Sequence, residues 1–235
     1  WEVISDTSWD GYTTVPQWIM QGYSTMFAEI QEQLSGQGII KPTHIFVQAG
    51  VGALAAAVIG FYHSLFGQDA PICVVVEPEN AACLYESAKA NDGQPHNVHG
   101  SLDTIMAGLA CGEVSPLAWR FLQPAVDLFM TISDAEAEEA MRELAAGSHG
   151  DIPIVAGESA VAGFAALKNL LANPEWKGRA GLTANARVLL ISTEGATAPR
   201  VFERIVGRSH EAVALAQKEW LKQRAPDGFH GRSIA

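Results

Sequence analysis

The residues best placed for chemistry sit in short breaks between apolar runs. The segment "AGVGA" (49–53) follows the apolar run "THIFVQ" (43–48) and leads into the small-residue segment "ALAAAVIGFYHSLF" (53–66). A turn of small residues opening a helix gathers backbone N–H groups and the positive helix end at one point, which suits a phosphate or carboxylate. Side chains at Gly50 and Gly52 would obstruct that approach, although a tight strand-to-helix turn asks for glycine too. The pattern is neither GxGxxG nor a P-loop, and the Lys and Ser/Thr of a nucleoside-triphosphate site are absent from it. Other breaks carry carboxylates and hydroxyls. Asp6 precedes an aromatic turn with Trp9, Asp10 and Tyr12, and Glu77 opens "EPEN". Glu158 stands beside Ser159, and Glu194 follows Ser192 and Thr193. Each has a plain structural reading: Asp6 as a turn cap, Glu77 as a buried acceptor for backbone N–H groups, and Glu158 with Ser159 as a helix cap. The seven histidines show no ligand spacing, and His96 and His99 make at most a loop pair, so no metal site is expected.

The elements around these breaks alternate strand and helix. Strands are expected at 2–6, 43–48, 71–78, 126–133 and 187–193. Helices are expected at 17–34 behind Pro16, at 53–66, at 80–90 with Asn80 as N-cap, and as short pieces at 101–112 and 115–123. Further helices follow at 133–147, with a Ser133/Glu136 capping box and Gly147 as stop, at 158–173 and from 199 onward, with a frayed Gly- and Arg-containing tail. Near-continuous apolar strands alternating with helices predict an α/β fold: a three-layer parallel sheet covered on both faces by helices. Ligands of such sheets sit where strand C-termini run into helices, which is where the breaks described above lie. The series Trp18, Met20, Tyr23, Met26 and Phe27 reads as a core or interface stripe.

Composition narrows the class. At 235 residues and 48% hydrophobic content the chain can bury a sizeable core. A net charge of −11 argues against nucleic acid and anionic membrane as partners. No apolar run is long enough to span a bilayer. Cys73, Cys83 and Cys111 lack CxxC spacing, which favours a reducing cytoplasm over a zinc site; a Cys83–Cys111 bridge is conceivable.

Taken in order, "VVVEPENAACLYES", "TIMAGLACGE", "SDAEAEEAMREL", "GESAVAGFAAL" and "VLLISTEG" resemble the C-terminal half of the fold-type-II pyridoxal-phosphate enzymes. Within that family "DTSWDGYTTVPQWIMQGYSTM", "PTHIFVQAGVGA" and "IMAGLACGE" resemble the diaminopropionate ammonia-lyase group. The resemblance covers residues 1 to about 206. It implies pyridoxal 5'-phosphate as cofactor, with its phosphate on Gly50, Val51, Gly52 and Ala53. It implies Ser192 or Thr193 facing the pyridine nitrogen, and a small amino acid as substrate. It makes Asp6 a candidate acid/base, or a ligand for the second ammonium group of a diamino acid. Homodimers are usual among such relatives. Lys41, Lys89, Lys168, Lys177, Lys218 and Lys222 do not match the family's Schiff-base lysine segment. The chain is therefore expected to be a C-terminal fragment, inactive alone: 1–10 as the end of a small domain, 11–208 as the large cofactor-binding domain, and 209–235 as a C-terminal helix and tail. A serine/threonine dehydratase and a non-catalytic phosphate-binding module are the alternative readings.

Overall fold

The computed structural model describes residues 3–224. Its centre is a parallel sheet of four strands, β1 (His44–Gln48), β2 (Ile72–Pro78), β3 (Leu128–Ile132) and β4 (Val188–Leu190), in the order β3-β2-β1-β4. Register runs from His44 opposite Ile72 to Gln48 opposite Val76, from His44 opposite Val188 to Phe46 opposite Leu190, and from Val74 opposite Leu128 to Pro78 opposite Ile132. β1 is buried along its whole length, as a central strand covered on both faces must be.

Alternation along β1 and β2 sorts side chains into two cores. Ile45, Val47, Cys73 and Val75 face one layer, built on α1 (Thr14–Gly36), α2 (Ala53–Phe66), α3 (Cys83–Ala90) and α4 (Pro116–Ala125). Phe46, Val74 and Val76 face the other, built on α5 (Asp134–Ala146), α6 (Ala162–Ala172), α8 (Pro199–Val206) and Val213 of α9 (His210–Arg224). The period of two thus splits the apolar residues between the faces, and the expected three-layer α/β architecture is the one observed. The Ser133 and Glu136 capping box closes the start of α5, and Gly147 ends it in the left-handed region.

Several local expectations give way to tertiary contacts. Residues 3–6 form no strand. Ser5 N–H donates to Tyr12 Oη (3.1 Å), Tyr12 donates to the Val3 carbonyl (3.2 Å), and Trp9 stacks on Tyr12 at 4.0 Å, so the segment closes on itself. Residues 101–112 are not helical apart from the 3-10 turn Ala107–Leu109. Asp134 pulls the chain in by accepting from Thr104 Oγ1 and from Ile105 N–H, and Gly108 and Gly112 press against Ser159 and the Val98 carbonyl. α3 starts three residues later than expected, and Asn80 does not cap it. Glu77 accepts from Leu84 N–H (2.9 Å) and Tyr85 N–H (2.7 Å), the donors a local cap would serve, and Asn80 donates to the Asp103 carbonyl instead. α6 begins at Ala162 rather than at 158. β4 is three residues long, and the short helix α7 (Pro174–Arg179), capped by Asn173, was not anticipated. The expected tail lies outside the described residues.

Candidate active site at the strand C-termini

α2 delivers its first turn to the C-terminal end of β1. Ala49 N–H still joins the sheet by donating to the Val76 carbonyl (2.9 Å); the chain then turns, and Gly52 caps α2 with φ +98°. Among the described residues no acceptor meets the backbone N–H of Gly50, Gly52, Ala53 or Leu54. These orphan donors at the start of a fourteen-residue helix border a cavity of about 760 Å³. They form an anion cradle whose positive character comes from the helix end.

The glycines answer to the protein as well as to a ligand. A Cβ at position 50 would lie 2.8 Å from Cys111 Sγ, and one at 52 would lie 2.9 Å from Leu122 Cδ1. Both readings weighed from sequence, ligand approach and tight turn, therefore leave out a third demand: side chains at Gly50 and Gly52 would point into protein, and Gly52 also needs its positive φ.

Asp6, Ser192, Thr193 and Glu194 reach the same cavity as Gly50, Val51, Gly52 and Ala53. Asp6, the glycine loop and the Ser192–Thr193 pair thus converge on one place. Asp6 is held there through Ser8, which is buried two residues on. Ser8 N–H donates to Ser115 Oγ (3.1 Å), the two hydroxyls lie 3.0 Å apart, and Leu117 N–H donates to Ser8 Oγ (2.8 Å), so Ser8 caps α4 from outside. Ser115 N–H donates to the Val51 carbonyl (3.0 Å), which ties the Asp6 segment to the glycine loop. No donor among the described residues meets the Asp6 carboxylate. Burial, and then the Asp6 charge, push up both the Tyr23 phenol and the Cys111 thiol. Glu194 is engaged on both oxygens, by Ser159 N–H (3.0 Å) and Thr197 Oγ1 (2.5 Å), and serves as wall.

The remaining sequence candidates divide: Ser159 and Cys111 also line the cavity, and the others lie away from it. Glu77 is fully buried beneath α3 and does not line the cavity; burial pushes it up to about 8, against the pull of the Leu84 and Tyr85 N–H groups. Ser159 caps no helix: its hydroxyl accepts from Gly108 N–H (3.1 Å). His96 pairs with Asp92 at 2.8 Å. Cys73, Cys83 and Cys111 are free thiols. Lys41 lies over the Phe66 ring, Lys89 pairs with Glu86 and Lys168 with Glu139 and Glu143, and none of the six lysines lines the cavity.

A family model described as pyridoxal-phosphate dependent enzyme matches residues 2–194. The chain belongs to that family. It is 44% identical over 215 residues to a diaminopropionate ammonia-lyase of Salmonella typhimurium, covering 89% of this chain and 53% of the relative. It is 40% identical over 217 residues to the Escherichia coli protein of that name, covering 91% and 54%. The crystal structure of the holo Escherichia coli diaminopropionate ammonia-lyase superposes with a TM-score of 0.79 at 38% identity, over 88% of this chain and 51% of that one. The chain spans about half the length of the curated relatives it matches.

The family's cofactor fits what the cavity offers. Its phosphate is a dianion, and the four orphan N–H groups are donors without acceptors. No Lys or Arg lines the cavity, so those donors and the α2 dipole are the counterparts this chain provides.

Three contributors escaped the sequence reading. Tyr23 and Met26 line the cavity, whereas Met20 and Phe27 of the same helix are buried in the core and Trp18 is 64% exposed. Their i, i+3 spacing carried the signal, but only the packing of α1 shows which face meets the site. Gln48 ends a wholly apolar-looking strand, and its partners lie more than 140 residues away.

Proposed function

We propose that the full-length protein is a pyridoxal-phosphate-dependent carbon–nitrogen lyase of amino-acid catabolism. It eliminates ammonia from 2,3-diaminopropionate and gives aminoacrylate, which hydrolyses to pyruvate and a second ammonia. The observation that carries this reading is the convergence of a free Asp6 carboxylate and an anion cradle on one cavity, in a chain so similar to enzymes of that name. When bound, the cofactor supplies the electron sink that makes the substrate α-proton removable. The chain's own residues do the rest. Gly50, Gly52 and Ala53, with Leu54 behind them, would hold the phosphate through their unpartnered backbone N–H groups, each charge-assisted bond contributing about 1.5–3 kcal/mol, while Val51, whose N–H meets the Cys111 sulfur, lines the loop. Ser192 or Thr193 meets the pyridine nitrogen with a neutral hydroxyl. Asp6 attracts the cationic diamine and moves the proton at its reacting carbon or nitrogen. Tyr23 and Met26 close the apolar side of the cavity and limit water access.

In this reading residues 1–10 finish a smaller domain, 11–208 form the cofactor-binding domain, and 209–235 add the C-terminal helix and tail; the lysine that carries the cofactor belongs to sequence outside this chain. The exposed Trp18 face of α1 contributes to a homodimer, and three free thiols fit a cytoplasmic location. No helix among the described residues is long and apolar enough to cross a membrane.

The test is pyruvate release by the full-length protein from 2,3-diaminopropionate and from serine. Preferential turnover of the diamine, lost in Asp6→Asn, is expected. Turnover of serine alone points to a serine/threonine dehydratase, and no binding of pyridoxal phosphate points to a non-catalytic phosphate-binding module. Sedimentation of the full-length protein checks the dimer.

A further inference from the structure

Gln48 closes β1 with a carboxamide that is 2% exposed, and its two halves are treated unequally. Nε2 donates to the Ile191 carbonyl (2.8 Å) and to Thr193 Oγ1 (2.8 Å), while Oε1 is buried with no partner. Turning the amide over would set Oε1 against the Ile191 carbonyl, lone pair to lone pair. A carbonyl oxygen only accepts, so Ile191 fixes which end of Gln48 carries the hydrogens. The second hydrogen then goes to Thr193 Oγ1. Both Nε2 protons are used, and the desolvation penalty of an orphan acceptor is left standing on Oε1.

The consequence falls on Thr193. Its oxygen accepts from Gln48, so its own proton points elsewhere, and Thr193 lines the cavity. Ser192 lines the same cavity but has no hydrogen-bond partner among the described residues, so its hydroxyl rotates freely between donor and acceptor. Of the two, only Thr193 has its polarity set.

We propose that Gln48 is a positioning residue that fixes the Thr193 hydroxyl as a hydrogen-bond donor into the cavity, so that Thr193, not Ser192, holds the pyridine nitrogen of the cofactor in its unprotonated form. This rests on the cofactor placement proposed above and selects between the two hydroxyls it leaves open. A donor hydroxyl needs a lone pair opposite it; a protonated pyridine nitrogen has none to give. The polarity runs in one direction, from the Ile191 carbonyl through Gln48 and Thr193 to the ring. It weakens the electron sink, which favours rapid elimination over a long-lived carbanion.

The experiment uses the full-length holoenzyme loaded with pyridoxal phosphate labelled with nitrogen-15 in the ring, read by NMR, together with cofactor affinity from spectroscopic titration. The wild type is expected to show an unprotonated, hydrogen-bonded nitrogen. Thr193→Ala should shift the resonance towards the value of a nitrogen without a hydrogen bond and weaken cofactor binding roughly three- to tenfold. Thr193→Ser should restore both, and Ser192→Ala should change neither. Gln48→Met should move the resonance in the same direction as Thr193→Ala, and adding Thr193→Ala to it should move it no further. If Gln48→Met does not fold, Gln48→Leu, which likewise removes the Nε2 donor, takes its place, and a resonance unchanged in the folded Gln48 variant overturns the positioning role. A protonated nitrogen in the wild type, a resonance insensitive to Thr193→Ala, or one that moves with Ser192→Ala overturns the proposal. A full-length protein that binds the labelled cofactor but leaves the diamine unchanged sinks the functional reading without touching this one; failure to bind the cofactor rejects both.

Discussion

Substituting Gly52 by alanine isolates what the glycine does, because the added methyl points away from the cavity. Position 52 has φ +98° and ψ 0°. Holding an L-residue in the left-handed region costs roughly 1–2 kcal/mol. The new Cβ would lie 2.9 Å from Leu122 Cδ1 and 3.4 Å from both Ala118 Cβ and Leu84 Cδ1, an overpacking that costs about 1–3 kcal/mol. Gly52→Ala is therefore expected to destabilise the full-length protein by roughly 2–5 kcal/mol, read as a lowered urea midpoint at unchanged slope. Leu122→Ala relieves the overlap but not the backbone strain. The double variant should therefore be less destabilised than the sum of the two singles by at least about 1 kcal/mol. Cofactor affinity, titrated on the same samples, should fall only as far as the loop shifts. A Gly52→Ala protein of normal stability, uncoupled to Leu122 and unable to hold the cofactor, would refute the reasoning and return the glycine to the ligand side.

Ser8→Ala leaves the half-buried Leu117 N–H without its acceptor and releases the segment bearing Asp6. It should cost about 1–3 kcal/mol of stability and lower kcat roughly ten- to hundredfold at little change in KM; an unchanged kcat in a destabilised protein would mean that Ser8 is only a cap. Ser133→Ala removes the hydroxyl that accepts from Glu136 N–H and should lower stability by about 1 kcal/mol without altering turnover. Glu77 has its folded-state pKa pushed from 4.5 up to about 8, chiefly by burial. The folded chain then holds that proton more tightly than the unfolded chain, so raising the pH from 4.5 towards 8 withdraws stability, on the order of 4 kcal/mol over the window. Urea midpoints of wild type and Glu77→Gln across that range should diverge in slope; parallel curves would show that Glu77 is charged throughout.

The fold class was legible because it is written in local periodicity. Runs such as 43–48 and 71–78 are apolar on both faces, which is tolerable only in a central strand with a layer on each side, and α2 and α5 carry their start and stop signals in their own residues. The loops of the site could be found for the same reason: a parallel sheet sends its strand C-termini to one edge, so Gly50 and Gly52, Ser192 and Thr193 had to meet there. The sequence by itself thus determined the layers, the edge and the chemical types gathered at it. What tertiary structure alone decided were contacts between residues far apart in the chain. Glu77 takes over the capping of α3, Asp134 reaches back and holds 104–105 out of a helix, and Ser8 caps α4 across 109 residues. Gln48 and Thr193 are separated by 145 residues, and neither identity announces the bond. Hydrogen-bond polarity depends on which donor ends up facing which carbonyl, and that is settled only when packing brings the Ile191 carbonyl against a buried amide.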